Sequence, residues 1–305
     1  MSRGAYSLAS ASLSGLLVGA TVPGLEVLGS LALPALFVQT TITVGGLAES
    51  GAVVSARGWA WRMVLVHHLV ASLPLMLIGW VIGLDTWLGA GTFLLGAVPP
   101  AAALPSYAAV LGGQVRPLVR FCLLGYAVGL VITPALAMGF LGTDGRAGTL
   151  LRVLVVGLVL PWFVGAMSAP VLKKVPRGLS MLAVSGSAMV LMVGMGAQLR
   201  TGVELGLAAP GLLAAAAAVA LGRCLGGGAL AWCCRPRGAL ALEAALAGGG
   251  KNAVLAAVLA EQALEGPAAM PALLGLVVDG LVLGVLGAFA ARGVRTAAQR
   301  DMVRP

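Results

Sequence analysis

Ten apolar runs of roughly 20 residues or more divide the chain, with only short polar or Gly/Pro-rich segments between them. A helix needs about 20 apolar residues to cross the hydrocarbon core of a bilayer, so each run is long enough to span a membrane. The runs lie at 5–22, 27–46, 58–82, 87–112, 115–141, 149–172, 178–199, 206–233, 238–263 and 268–292. The pattern predicts an all-α polytopic protein with ten transmembrane helices, surrounded by a lipid bilayer.

The composition supports a membrane protein over a soluble one. Of the 305 residues, 60% are hydrophobic and 10% charged, whereas soluble domains are about 45–50% apolar and about 25% charged. We therefore expect no ATPase, sensor output or large extramembrane enzyme domain, and the sequence has no nucleotide-binding motif. The cysteines Cys122, Cys224, Cys233 and Cys234 have no metal-ligand spacing and are interpreted as packing residues. We expect no enzyme activity, no metal and no cofactor.

The charges of alternate loops differ in sign. One side carries Arg3, Arg57, Arg62, Arg116, Arg120, Lys173, Lys174, Arg177, Arg235, Arg237, Arg292, Arg295, Arg300 and Arg304. The other carries Glu26, Asp85, Asp144, Glu204, Glu261 and Glu265, with the bases Arg146, Arg152 and Arg200. Cytoplasmic loops are enriched in Lys and Arg, which predicts both termini in the cytoplasm of a bacterial-type inner-membrane protein. The net charge of +9 then indicates topology and not a nucleic-acid partner. The first run also resembles a signal peptide, but its cleavage would leave nine helices and a poorer charge pattern.

Ten spans divide into two sets of five, and an odd number per set inverts the second set in the membrane. This is the arithmetic of an inverted repeat. It predicts repeats at 1–142 and 148–293, followed by a cytoplasmic tail at 294–305. Weak internal similarity agrees, because "LLVGATVPG" (16–24) and "LVVGLVLPW" (154–162) align Gly19 with Gly157 and Pro23 with Pro161.

The fourth and ninth runs are interrupted at matching positions of the two halves. The fourth contains Pro99, Pro100 and Pro105, and the ninth contains Gly248, Gly249 and Gly250 followed by Lys251. Proline removes an amide donor, and each glycine weakens a helix by about 1 kcal/mol relative to alanine. Matched interruptions of this kind indicate the binding site of a transporter, since bare backbone at membrane depth must lie against protein or a wet cavity.

Several stretches resemble the bile acid:sodium symporter family. They are 16–47, "GAVPPAAALPSYAAVLGGQVRPLV" (96–119), "TPALA" (133–137) and "KNAVLAAVLA" (251–260). The resemblance implies two inverted five-helix repeats, with helices four and nine unwound at their middles and crossing there. It also implies a core domain that carries the crossing (helices 3–5 and 8–10) and a panel domain that faces it (helices 1, 2, 6 and 7).

The chain departs from the family at the positions that bind sodium. The family motif of the ninth helix reads approximately Glu-x-Gly-x-Gln-Asn-x-x-Leu-Ala, which places its asparagine on Asn252 and a glycine on Gly249. The sodium-binding glutamate and the glutamine fall on Ala247 and Lys251. The Ser-Asn pair of the fourth helix falls on Leu104 and Pro105, and a glutamine of the third helix on about His67. A sodium site needs several oxygen ligands, so we expect no sodium at the usual places.

Lys251 is the residue on which the expected chemistry depends. A tethered ammonium supplies the charge of one sodium ion and would offset the carbonyls at the C-terminal ends of the broken half-helices. The N-terminal ends, near Ser106 and Asn252, would offer N–H groups to a carboxylate. Two mechanisms remain open. A permanently charged Lys251 gives a uniporter or exchanger, and a titrating Lys251 gives proton coupling. A purely structural lysine would pair with Asp279.

Further candidates surround the expected crossing. The expected substrate contacts are Ala102, Ser106, Gly250, Lys251 and Asn252, with Gln39, Thr40 and Thr41 from the panel side. His67 suits a proton relay, and at most one of His67 and His68 can face the crossing. Glu243 would restore a carboxylate if the register slipped. Arg223 lies deep in the eighth run and either snorkels or pairs, while Gly226–Gly228 are expected to allow close packing.

Together these features predict a secondary transporter of a small organic anion, such as a carboxylate or a bile-acid-like molecule, that works by alternating access without sodium. The alternatives are a sodium-coupled symporter with a shifted site, an oxyanion or auxin-like exporter, and a non-transporting receptor of the same fold. The sequence leaves the oligomeric state open, and a monomer is compatible with it.

Overall fold

The computed structural model describes residues 11, 14–47, 57–111, 113–143, 146–204, 210–233, 241–264, 267–276 and 278–279. Within these residues all regular structure is helical, and no strand forms. Most of the predicted tenth run, the 294–305 tail, Cys234 and several of the basic residues used for the topology lie outside the described residues.

The described α-helices are numbered in chain order, and short wider turns or interruptions separate several of them. They are α1 (Ala32–Ile42), α2 (Arg57–His67), α3 (Leu73–Ile82), α4 (Trp87–Ala97), α5 (Leu104–Leu111), α6 (Val115–Leu141), α7 (Ala147–Leu154), α8 (Leu160–Leu172), α9 (Arg177–Glu204), α10 (Pro210–Gly222), α11 (Gly228–Cys233), α12 (Ala241–Gly249) and α13 (Ala253–Ala263).

In the part of the chain that the structure describes, four helical stretches are long and apolar enough to cross a membrane: Gly58–Ile82, Val115–Leu141, Gly148–Leu172 and Gly178–Thr201. The first and third contain a single π-helical turn, at His68–Ser72 and Val155–Val159. In both, a proline (Pro74 or Pro161) follows the turn by two residues. A proline ring clashes with the carbonyl four residues earlier, and one wide turn relieves that clash without ending the helix.

The outer surface of these helices is apolar. Trp61, Trp80, Val81, Phe163 and Val171 are all more than half exposed. Large contiguous apolar surfaces are unfavourable in water and normal against lipid. The structure is therefore that of an all-α protein suited to a membrane.

Helix α13 is enclosed along most of its length. Every residue from Ala253 to Ala260 is buried, which is the pattern of a helix with protein on all sides. It packs against α4, α1 and α7. A cluster of buried apolar side chains thereby surrounds the start of α13, where the candidate site lies.

Candidate functional site

The two interrupted segments meet at one point. The unwound residues between α4 and α5 face those between α12 and α13, and Pro100 and Lys251 pair there as an isolated antiparallel bridge. Two backbone hydrogen bonds flank the bridge, from Ala101 N–H to the Gly250 oxygen and from Asn252 N–H to the Pro99 oxygen, both 3.3 Å long. Each unwound stretch thus satisfies polar backbone groups of the other, as buried irregular backbone requires.

Local sterics explain the first interruption. A residue before proline is disfavoured in the helical region, and Val98, which precedes Pro99, adopts an extended conformation that ends α4. The sequence predicts that Pro105 interrupts the helix, and this prediction is wrong. It lies in the first turn of α5, where a proline is tolerated because that amide has no helical partner.

The second interruption is shorter than the glycines predict. Gly248 and Gly249 remain in the last turn of α12, and only Gly250 is unwound. The first two instead allow a close backbone approach to the turn Arg223–Gly227. A Cβ at Gly249 would lie 3.0 Å from the Cys224 oxygen, and a Cβ at Gly227 would lie 2.5 Å from the Gly248 oxygen.

Helix α6 supports the first interruption from behind. A Cβ at Gly125 would lie 2.6 Å from Cγ of Pro100, and a Cβ at Gly129 would lie 2.7 Å from Cβ of Pro99. The Thr133 hydroxyl donates to the oxygen of Ala97 at 2.8 Å. One face of α6 therefore accommodates the proline rings and satisfies a carbonyl at the end of α4.

The ammonium group of Lys251 points at the end of α4. Lys251 is 1% exposed, and Nζ donates to Ser72 Oγ at 2.9 Å, to the Gly96 oxygen at 2.8 Å and to the Val98 oxygen. The last carbonyls of a helix lack intrahelical partners and carry partial negative charge. Lys251 neutralises that end, and its three donors all have acceptors.

Asp279 does not pair with Lys251, which corrects the expected partnership. Its Oδ1 accepts hydrogen bonds from Nη2 of Arg223 and from the Cys224 thiol, the latter at 2.8 Å. Nη1 of Arg223 donates to the Gly249 oxygen at 2.6 Å. Close packing of Gly227 on Gly248 places Arg223 against the end of α12. Arg223, and not Lys251, therefore pairs with the Asp279 carboxylate.

The two histidines have different environments. His67 is 0% exposed, and its Nδ1 lies 2.7 Å from the oxygen of Ala247. Its Nε2 has no partner within the described residues, and its ring packs edge-on against Phe121. His68 bonds the carbonyl of Val64 in its own helix. Of the two histidines, only His67 therefore hydrogen-bonds to α12, through the carbonyl of Ala247.

Glu243 lies away from the crossing and does not supply a carboxylate there. Its Oε1 accepts a hydrogen bond from the Gln114 N–H, at the residue that precedes α6. A carboxylate at a helix N-terminus satisfies an unpaired amide and suits the helix dipole. Glu243 thus stabilises the start of α6.

The polar residues on the second run separate into those that reach the crossing and those that bond elsewhere. The Thr43 and Ser106 hydroxyls form a buried hydrogen bond between the second run and α5. Thr41 donates to the oxygen of Pro161 at 3.3 Å. The Thr40 hydroxyl is buried without a partner within the described residues. Gln39 is buried and faces a cavity.

This cavity has a volume of about 530 Å³ and lies beside the crossing. Its size suits a small organic ligand, for which sites of about 300–1,000 Å³ are usual. The predicted substrate residues that line it are Gln39, Ala102, Gly250, Lys251 and Asn252. Ser106 and Thr40 do not line it. Tyr107, Cys224 and Asp279 add polar groups to its wall.

Asn252 begins α13 and also lines the cavity. Its Oδ1 accepts the Leu255 N–H at 3.1 Å, so part of the helix N-terminus expected to be free is capped. Its Nδ2 is buried and has no partner in the part of the chain that the structure describes. An unpaired buried amide is costly, and this one is available to a ligand acceptor.

Sequence reasoning missed Ser72, Thr43, Tyr107 and Cys224, and left the partner of Arg223 open. Arg223 carried a usable signal, because a charge deep in an apolar run almost always has a partner or a function. The four polar residues carried none, since isolated Ser, Thr, Tyr and Cys are ordinary in membrane helices.

No family model matches the chain, and no curated protein matches it.

Proposed function

We propose that the chain is a secondary transporter of a small organic anion that works by alternating access, as an atypical relative of the bile acid:sodium symporters. The observation that carries this proposal is the bridge between Pro100 and Lys251, where two interrupted helices cross beside a cavity of about 530 Å³. Interrupted helices that meet at a cavity provide backbone ends that contact a solute.

The same proposal includes the number of spans and their arrangement into repeats and domains. Ten spans form two inverted five-helix repeats, 1–142 and 148–293, and the crossing helices are the fourth of each repeat. The core consists of helices 3–5 and 8–10, and the panel of helices 1, 2, 6 and 7. In support, α9 and α8 pack on α1, whereas α4 packs on α3, and α12 on α11.

Lys251 makes sodium unnecessary in this mechanism. Its ammonium has three oxygen partners, two of them carbonyls at the C-terminal end of a broken half-helix. Oxygen atoms grouped in this way are also the preferred ligands of a hard cation. A tethered ammonium there gives the crossing a permanent positive charge, and transport does not wait for a sodium ion.

The charges beside the cavity favour an anion. Among the described residues at the crossing and the cavity wall, the ionisable groups that carry charge are Lys251, Arg223 and Asp279. Arg223 and Asp279 neutralise one another, which leaves one positive charge from Lys251. This charge attracts an anion, and Nδ2 of Asn252, which has no partner within the described residues, offers a hydrogen-bond donor.

The cavity is proposed to open to the cytoplasm in this conformation. It extends from the crossing to Cys233 and Leu242, which flank the segment that carries Arg235 and Arg237. Basic loops of this kind are cytoplasmic by the positive-inside rule. Helix α13 packs against α7 and α1, and we propose that these contacts close the external path in an inner-membrane protein.

Counterflow in proteoliposomes tests the function. Vesicles preloaded with unlabelled pyruvate, gluconate, cholate or taurocholate are diluted into the labelled anion, in sodium or in choline buffer. We expect transient uptake of at least one anion, equal in both buffers, and absent from protein-free vesicles. The Lys251→Gln variant is expected to lose it, whereas Lys174→Gln, at an exposed position, keeps it. Uptake of these anions only with sodium would contradict the sodium-independent mechanism, and binding without counterflow would indicate a receptor.

A further inference from the structure

Arg223 and Asp279 form a buried ion pair beside the cavity, and neither contacts the Lys251 ammonium, which bonds Ser72, Gly96 and Val98. The Arg223 side chain is 2% exposed and the Asp279 side chain 17% exposed. Asp279 lines the cavity and Arg223 does not. A solute in the cavity therefore reaches the guanidinium by way of Asp279.

Asp279 accepts a hydrogen bond from only one of the guanidinium nitrogens of Arg223. A guanidinium binds a carboxylate best through two parallel N–H bonds, but Asp279 contacts Nη2 through Oδ1, and the same oxygen also accepts from the Cys224 thiol. Nη1 is taken by the Gly249 oxygen. Nε is buried and has no partner within the described residues. The edge formed by Nε and Nη2 is therefore only partly used by Asp279, and it has both N–H donors for a carboxylate that takes the place of Asp279.

On the basis of the proposed transport function, we propose that Arg223 is the carboxylate-binding group of this cavity and that Asp279 occupies its place until a substrate carboxylate replaces it and Asp279 takes up one proton. The substrate class is then a monocarboxylate, and its co-substrate is a proton. Asp279, rather than Lys251, carries the coupling.

The exchange balances in atoms and charge. The ion pair between Arg223 and Asp279 breaks, and an ion pair between Arg223 and the substrate carboxylate forms. A proton from the compartment to which the cavity opens forms an O–H bond on Asp279, so no buried carboxylate is left unpaired. The empty site carries Lys251, Arg223 and Asp279 with a net charge of +1. The loaded site, with one more anion and one more proton, carries the same charge.

Other titratable groups face Asp279 from the elements packed around it. Within the described residues they are Arg223 and Cys224 in the turn Arg223–Gly227, and Tyr107 of α5 on the neighbouring wall. The proposal assigns the proton to Asp279, because its Oδ1 is the oxygen that the substrate carboxylate displaces from Nη2 of Arg223.

Proton uptake on binding tests the proposal without requiring transport. Purified protein in weakly buffered detergent receives labelled pyruvate, gluconate or submicellar cholate, with bound ligand measured by equilibrium dialysis and protons by a pH-indicator dye. We expect one proton taken up for each carboxylate bound by the unmodified protein. Asp279→Asn is expected to bind a carboxylate without proton uptake. Arg223→Gln is expected to weaken binding at least tenfold.

Matched controls separate charge loss from misfolding. Asp85→Asn and Arg62→Gln make the same changes at exposed positions and should behave as the unmodified protein. The double variant Arg223→Gln/Asp279→Asn removes both charges, so it avoids an unpaired buried ion. It should elute as a monodisperse species and bind none of the carboxylates with proton uptake.

Each outcome decides the proposal. Carboxylate binding without proton uptake by the unmodified protein overturns it, as does unchanged, proton-linked binding by the double variant. Counterflow of taurocholate, a sulfonate, with no binding of any of the three carboxylates would also overturn it and leave the proposed transport function standing. Proton-linked binding without counterflow would support this site while contradicting transport.

Discussion

The ammonium group of Lys251 donates a hydrogen bond to the backbone oxygen of Val98, the residue at which α4 ends. The charge of the crossing therefore lies against the C-terminal end of α4, while Asp279 of the Arg223–Asp279 pair lines the cavity. The two cationic side chains have separate tasks. Lys251 neutralises the helix end, and Arg223 is proposed to exchange its partner.

Removal of the Lys251 side chain should create a site that responds to sodium. Lys251→Ala leaves Ser72 Oγ and the oxygens of Gly96 and Val98 without their donor, and unsatisfied buried groups cost about 1–3 kcal/mol each. We expect a loss of at least about 2 kcal/mol in the free energy of unfolding, partly restored by NaCl but not by choline chloride. Thermal unfolding in detergent measures this. Lys174→Ala, at an exposed position, should show neither effect.

Two glycines of α6 should respond oppositely to alanine. Gly125→Ala places a Cβ 2.6 Å from Cγ of Pro100, whereas a Cβ at Gly139 in the same helix meets nothing within 4 Å. Overpacking costs about 1–3 kcal/mol, while alanine in an open helix position gains up to about 1 kcal/mol. We expect a lower melting temperature for Gly125→Ala and an equal or higher one for Gly139→Ala. Equal effects would show that α6 does not support the proline rings.

The Arg223–Asp279 pair should show strong coupling in a double-mutant cycle. Arg223→Gln and Asp279→Asn each leave one buried ion without its partner, at a cost of about 3–5 kcal/mol. The double variant removes both ions and should be less destabilised than the sum of the single variants. Denaturant or thermal unfolding of the four proteins gives the coupling energy. Additive effects would mean that the two side chains do not interact.

The native thiols can report whether the cavity is the transport path. Cys224 and Cys233 line it, whereas Cys122 is 0% exposed and lies outside it. In single-cysteine proteins, a maleimide should modify Cys233 and, more slowly, Cys224, and modification of Cys224 should stop counterflow. Mass spectrometry of the intact protein measures the labelling. Reaction of Cys122 in the folded protein at the rate of Cys224 would contradict this placement.

The local parts of the fold could be predicted from sequence. The helix Val115–Leu141 has the bounds predicted for the fifth run. An apolar run and the polar, glycine or proline residues that end it are both properties of neighbouring residues. Pro99 and Pro100 likewise determined the first interruption, since a proline restricts its own conformation and that of the residue before it. The interruption predicted at Gly248 and Gly249 was wrong for the opposite reason. A glycine permits an unwound backbone without requiring it, and here both serve close packing against another helix.

The sequence by itself determined an all-α chain with apolar helices, a helix interruption at two consecutive prolines, and a buried charge at Lys251. Only the tertiary structure decided what that charge contacts: Lys251 bonds Ser72, 179 residues away, while Arg223 takes Asp279, 56 residues away. Glu243 similarly reaches Gln114 instead of the crossing. Hydropathy and backbone sterics are local, whereas an ion or hydrogen-bond donor takes whichever partner the packing of distant helices brings within about 3 Å.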